Sequence, residues 1–364
     1  MSALILLVAA SHADARLNEP RRNIRVDVDA DADADANFAL GPHDRAVLHL
    51  EANRIEKEQD LISPRPYIVG GERVNGHRFP YFSSLYQEFE GDNYHVCGGA
   101  LISDSYVLTA AHCAKHAHRA RIGAYTELSD PSNDNRPFHD TEVIKAVTHP
   151  DFYSDSKDRL HYDFALLKLR EPVTDPYLLQ SAMNLERVIE VDEQLKNGEI
   201  RNAVTTIGLG RLHESGPLPK FLQEVELKYV DNDICKRYFG DVPEVMMCAK
   251  EDHQDACTGD SGGPLIVKGN TPNEDVQVGI VSWGSGCATT FPGVYSRISR
   301  VGPWIKQEVC KNSLVEPPYC SKDSKIPMCV EHTDCKANDD LLPGGLWCFL
   351  NANICEITCG KCEP

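Results

Sequence analysis

The sequence predicts a mostly β domain, a sandwich or barrel, followed by a small module held by disulfides. Three observations lead there. From Ile68 to about Cys310 the chain is built of short β-branched or alternating runs bounded by Gly, Pro and Asp. Only one stretch of that region reads clearly as helix, and many strands with few helices must pack sheet on sheet. Of the 14 cysteines, eight fall between Cys310 and Cys362. A length of 364 residues allows two domains with extra segments.

Taken in order, Leu4 to Ala10 is a short apolar run followed by small residues around Ser11 and Ala13. That is the core and cleavage region of a signal peptide, assigned to residues 1–15, although a basic leading region is missing. Residues 16–67 are assigned to an acidic propeptide. Asp27 to Ala36 is mostly alternating Asp and Ala, which buries no core and repels itself into an open coil. Ala46 to Ile62 could form a helix, and the segment ends in Pro64-Arg65-Pro66-Tyr67, which the prolines keep extended. Strands are then expected at Ala100–Ser103, Tyr106–Thr109, Phe164–Leu169, Glu224–Val230 and Val276–Trp283. A helix is expected over Pro303–Val309, with proline in its first turn. The remainder, residues 311–364, carries seven cysteines and is too small to fold on an apolar core alone.

Charge and cysteine chemistry narrow the function. Lys and Arg number 37 against 55 Asp and Glu, a net charge of −18. A general grip on nucleic acid or an anionic membrane needs a positive surface and is excluded. Cysteine at this density is stable where thiols oxidise, so a secreted, extracellular protein is expected. No other apolar run approaches the ~18 residues that span a bilayer.

Three strings carry chemistry: Val107-Leu-Thr-Ala-Ala-His112-Cys113, Tyr162-Asp163-Phe-Ala-Leu-Leu, and Gly259-Asp260-Ser261-Gly262-Gly263-Pro264. A serine hydroxyl attacks a peptide carbonyl only if a base takes its proton, and an imidazole is such a base. A carboxylate on the other ring nitrogen orients the imidazole and stabilises its cation. Each string alone is weak, but their occurrence together in this order is specific. Ile68 to Cys310, about two-thirds of the chain, resembles the trypsin-like serine proteases of the chymotrypsin fold. The resemblance implies an all-β domain at 68–310 of two packed six-stranded antiparallel β-barrels with a C-terminal helix. It implies His112 as general base, Asp163 as its orienting partner, Ser261 as nucleophile, and the N–H groups of Gly259 and Ser261 as oxyanion hole. It also implies the pairs Cys97–Cys113, Cys235–Cys248 and Cys257–Cys287.

The same resemblance places Asp255, six residues before Ser261, at the floor of a specificity pocket with Gly284 and Gly293 on its walls. A carboxylate there pairs with Arg or Lys, so protein or peptide substrates cut after those residues are expected. Ser282 and Gly284 would bond an extended substrate through their backbones, beside a Trp283 platform. Ile68-Val69-Gly70-Gly71 resembles the N-terminus created when family zymogens are cut, with the Ile68 amine pairing with Asp260. Relatives commonly carry a basic residue before this cut. Here it is Tyr67, so a separate, aromatic-preferring activating protease is expected. A monomer without cofactor is expected, with calcium in the loop Asp130-Pro-Ser-Asn133-Asp134-Asn135 as a lesser possibility.

The tail resembles the ShK toxin-like (ShKT) module, most clearly at Cys355-Glu-Ile-Thr-Cys359-Gly-Lys-Cys362. That pattern implies Cys320–Cys362, Cys329–Cys355 and Cys335–Cys359, with Cys348 left for Cys310. The alternatives to an enzyme are a catalytically idle binding protein with a protease fold, or a venom toxin acting through the tail.

Overall fold

The computed structural model describes residues 70–126, 138–200, 203–213 and 216–321. Outside these lie the expected signal peptide and propeptide, Ile68, the Asp130–Asn135 loop, and the tail from residue 322 onward. Strand β1 (Glu72–Arg73) leads into β2 (Phe82–Phe89), β3 (Asp92–Ser103), β4 (Tyr106–Thr109), β5 (Arg119–Ile122) and β6 (His139–Thr148). A short hairpin of β7 (Tyr153–Ser154) and β8 (Leu160–His161) precedes β9 (Ala165–Leu169). There follow β10 (Ala203–Gly208), β11 (Gln223–Val230), β12 (Met246–Lys250), β13 (Pro264–Val267), β14 (Val276–Trp283) and β15 (Gly293–Arg297).

These strands close into two antiparallel barrels of six. The first runs β2-β3-β4-β9-β6-β5. The second runs β11-β10-β13-β14-β15-β12 and is closed by the β11–β12 pairing, with β1 added outside β11. Closure removes the free strand edges that an open sheet would expose. The alternation of Gln223-Glu-Val-Glu-Leu-Lys-Tyr-Val sends Val225, Leu227 and Tyr229 inward and leaves Glu226 and Lys228 exposed. By contrast Val276–Ser282 is buried along its whole length, because β14 is covered on both faces. The barrels are joined by the buried Asp275, which accepts from the Tyr81 hydroxyl at 2.5 Å and from Arg78 at 2.6 Å.

The expected C-terminal helix spans Gly302–Cys310 with Pro303 in its first turn. Sequence reading passed over the helices Val188–Asn197 and Asn232–Phe239. Val188, Val191 and Leu195 turn one face of the former inward, and Gly198, left-handed at φ 68°, ends it. Asp231 caps the latter by accepting from Asp233 N, a local signal hidden in a run of polar residues.

One part of the expected cysteine pairing is overturned. Cys310 is bonded to Cys320, with Cα atoms 5.6 Å apart. Each sulfur makes one such bond, so neither Cys310–Cys348 nor Cys320–Cys362 forms. The intervening residues turn back over the first barrel: the buried Tyr319 donates to Ile102 O at 2.8 Å, and Asp104 accepts from Val315 N at 3.0 Å. Cys320 therefore belongs to the body of the barrels and does not open a separate module. Cys329–Cys355 and Cys335–Cys359 lie outside the described residues. Cys97–Cys113, Cys235–Cys248 and Cys257–Cys287 are bonded.

Candidate active site

His112 sits in a single 3-10 turn, Ala111–Cys113, that follows directly from the end of β4. Buried Ala110 and Ala111 and the Cys97–Cys113 bond hold this turn against β3, while the imidazole stays partly exposed. Asp163 lies just before β9, fully buried, next to Tyr162 in the left-handed region at φ 49°. Its Oδ1 accepts from His112 N at 2.9 Å, and its Oδ2 accepts from His112 Nδ1 at 2.8 Å. Because a carboxylate only accepts, the Nδ1 proton is fixed and Nε2 keeps its lone pair. Ser282 adds a third bond, its hydroxyl donating to Asp163 Oδ2 at 2.6 Å. Sequence reading assigned Ser282 a backbone role and missed this hydroxyl, since nothing in Val-Ser-Trp-Gly indicates where the side chain points.

Ser261 lies in a tight turn between Cys257 and Gly263, closed by Asp260 N to Cys257 O at 2.9 Å and Gly263 N to Asp260 O at 2.8 Å. The turn rests on the first barrel, with Gly98 N donating to Ser261 O at 2.8 Å. Gly262 has φ +78°, and a Cβ there would lie 2.1 Å from Thr109 Oγ1, so only glycine fits. Thr109 leads straight into the His112 turn, so the same contact brings serine and histidine segments together. Among the described residues no hydrogen bond joins the Ser261 hydroxyl to His112 Nε2, and none uses Gly259 N or Ser261 N as donor. Gly259 has φ +100°, and its carbonyl is held by His95 Nε2 at 3.0 Å; Ser84 Oγ meets His95 Nδ1 at 2.8 Å. Burial lowers His95 to about 4, which keeps it neutral. Neither Ser84 nor His95 was visible from sequence, because a lone buried His has no motif.

Asp260 is wholly buried. Its carboxylate accepts from Gly210 N at 2.7 Å and Cys257 N at 2.8 Å, yet burial outweighs these bonds and raises it to about 7. A Cβ on Gly208 or Gly210 would strike this carboxylate, which explains the Gly-Leu-Gly string. The start of the described chain is held by Gln254, whose Nε2 donates to Gly70 O at 2.9 Å. Ile68 itself lies outside the described residues.

Asp255 is 7 % exposed and accepts from Ala288 N at 3.1 Å. Burial raises it to about 6. Gly293 lies against it, a Cβ there falling 3.1 Å from Asp255 Oδ1, and a Cβ on Gly284 would lie 4.0 Å from Gly293 Cα. The two glycines thus lie close together beside the carboxylate, with the Cys257–Cys287 bond nearby in sequence. The Tyr295 hydroxyl is buried here without a partner among the described residues, a neighbour that sequence reading did not single out. Trp283 is half-buried and packs edge-on against Phe239 with ring centroids 5.0 Å apart.

Two comparisons bear on this arrangement. The family model described as Trypsin matches residues 68–305, well over half of the chain. The chain belongs to the trypsin family. Over 266 residues it is 36% identical to "Serine proteinase stubble" of Drosophila melanogaster, covering 68% of this chain and 32% of that protein. The chain therefore spans about a third of that relative's length. Among the described residues no helix is long and apolar enough to cross a membrane. Cys97, His112 and Cys113 bring three metal-capable atoms within 4.8 Å, but both sulfurs are in a disulfide and offer no thiolate.

Proposed function

We propose that this trypsin-family protein is a secreted endopeptidase that cuts peptide bonds after Arg or Lys. The observation that carries the reading is the triple hold on Asp163 by His112 N, His112 Nδ1 and Ser282, which leaves His112 Nε2 to serve as the base. Ser261 Oγ attacks the substrate carbonyl while Nε2 takes its proton; the same proton then goes to the leaving amine as the acyl-enzyme forms. The carbonyl oxygen, now an oxyanion, is met by Gly259 N and Ser261 N, donors with no other acceptor among the described residues. Water, deprotonated by the same imidazole, releases the acid and restores the serine. Asp255 receives the basic side chain, and Ser282, Gly284 and Trp283 align the substrate strand.

The enzyme is made as a zymogen and cut between Tyr67 and Ile68 by a protease that prefers aromatic residues. The Ile68 amine then pairs with Asp260. The six cysteines left over from the four described bonds, Cys329 to Cys362, bond among themselves in a tail that docks substrate or partner, without the Cys320 that the ShKT pattern requires.

The test is hydrolysis of a fluorogenic Arg peptide by the processed protein. Ser261→Ala should lower kcat on the order of 10⁶-fold. Asp255→Ser should lower kcat/KM for the Arg peptide by roughly 10²–10³-fold through loss of a buried charge partner. With Asp255 at about 6, lowering the pH through that value neutralises the floor, so KM for Arg peptides should rise on the acid side. An inactive processed protein in which a phosphonate leaves Ser261 unlabelled would sink the reading.

A further inference from the structure

The β7/β8 hairpin, just before Asp163, carries a charged cluster that the chemistry above does not use. Tyr153 pairs with His161 across the hairpin, and their rings stack 4.4 Å apart. Asp155 sits inside the turn, accepting from Lys157 N at 2.8 Å, Arg159 N at 3.0 Å and Arg159 Nε at 2.7 Å. His161 Nε2 lies 3.4 Å from the same carboxylate. Arg159 is thereby fixed, and its remaining nitrogen leaves the hairpin: Nη1 donates to Phe239 O at 3.2 Å and to Asp241 O at 2.8 Å. These carbonyls lie at the C-terminal end of the helix Asn232–Phe239, where unpaired C=O groups favour a cation. The helix is in turn bolted to the second barrel by Cys235–Cys248.

Both partners of this contact lie next to residues of the candidate site. Phe239, whose carbonyl Arg159 holds, packs on Trp283. Ser282, the residue before Trp283, bonds to Asp163, which follows the hairpin by two residues. Trp283 is thus held between two ties from the first barrel to the second: Ser282–Asp163 on one side and Arg159 to the helix end on the other. A guanidinium suits the second tie, since one planar group spans a carboxylate and two carbonyls.

Resting on the protease reading above, we propose that Arg159 is a positioning residue that clamps the β7/β8 hairpin to the Asn232–Phe239 helix end and fixes the wall at Trp283. It thereby sets how well the enzyme uses substrate residues upstream of the one in the pocket, without taking part in the chemistry at Ser261. A substrate that ends at its basic residue does not reach this wall, and an extended one does.

The experiment uses the full processed chain and compares kcat/KM on a tetrapeptide amide with that on a single-residue arginine ester. In Arg159→Met the ratio of the two should fall roughly tenfold, carried by KM on the tetrapeptide, while the ester is cut at the parent rate. Asp155→Asn, which frees the guanidinium, should lower the same ratio, and Arg159→Lys should recover part of it. Hydrogen exchange at the Lys157 and Arg159 amides should be faster in Arg159→Met. A folded Arg159→Met with the parent ratio and parent exchange overturns the proposal, as does equal loss on ester and tetrapeptide. If Arg159→Met does not accumulate as folded protein, the ratio in Asp155→Asn decides in its place. A parent that cuts neither substrate refutes the protease reading instead, and the exchange measurement still decides the clamp.

Discussion

On the zymogen reading proposed above, Asp260→Asn should act in opposite directions before and after activation. Among the described residues Asp260 is buried, accepts from two backbone N–H groups, and is raised from 3.8 to about 7. Between those values the folded state holds a proton that the unfolded chain has released, so stability falls as pH rises through the window. At about 1.4 kcal/mol per tenfold, the ionised carboxylate costs the uncut fold roughly 4 kcal/mol above pH 7. Asparagine removes that cost but turns an NH₂ toward one of the two N–H groups, giving back about 1–2 kcal/mol. A net gain of about 2–3 kcal/mol at pH 8, reversing to a loss of about 1–2 kcal/mol near pH 4, is expected for the precursor. Asp255 is also raised, to about 6, and has the same sign, so the difference between variant and parent is the quantity to read. After the cut, pairing with the Ile68 amine would lower Asp260, and the same substitution should destabilise the mature form and abolish hydrolysis. Urea unfolding at pH 4 and pH 8, on precursor and processed protein both carrying Ser261→Ala, measures all four cases. A precursor destabilised by Asp260→Asn at pH 8 would refute the reasoning.

Arg297 is fully buried, bonded to Asp192, to Asn232 Oδ1 at 2.7 Å and to Met246 O at 3.1 Å. Arg297→Met should cost about 3–5 kcal/mol in urea unfolding by removing the buried cation beside Asp192; a cost under about 1 kcal/mol would show that Ser299 and Lys196, which also reach Asp192, suffice to hold its charge. Non-reducing digestion with mass spectrometry should recover a peptide joining Cys310 to Cys320, and the six cysteines from Cys329 to Cys362 bonded only to one another. A peptide linking Cys310 to Cys348, or free thiols in the tail, would contradict this.

The fold class was legible because strand-forming sequence has a period that can be read locally. Val107-Leu-Thr, Ala165-Leu-Leu and Val276 to Trp283 are strands where their composition places them. The helix Asn232–Phe239 was missed because it is short and polar, and its place depends on a disulfide and on Asn232 binding Met246 O at 3.1 Å. The Cys310 pairing was misread for a related reason. Spacing constrains which cysteines can meet, but the fold of residues 311–321 over the first barrel decides which ones do.

The motif strings by themselves determined the family and nominated His112, Asp163, Ser261 and Asp255, because reaction chemistry demands particular side chains within short, recognisable frames. Only the tertiary structure decided that Ser282 completes the hold on Asp163, that His95 carries the Gly259 carbonyl, and that Arg159 reaches the far helix. These partners lie 80 to 164 residues apart along the chain, or 119 for Ser282 and Asp163. Hydrogen bonds act over about 3 Å of space and are indifferent to sequence distance. Contacts made when two barrels close on each other therefore leave no local pattern to read.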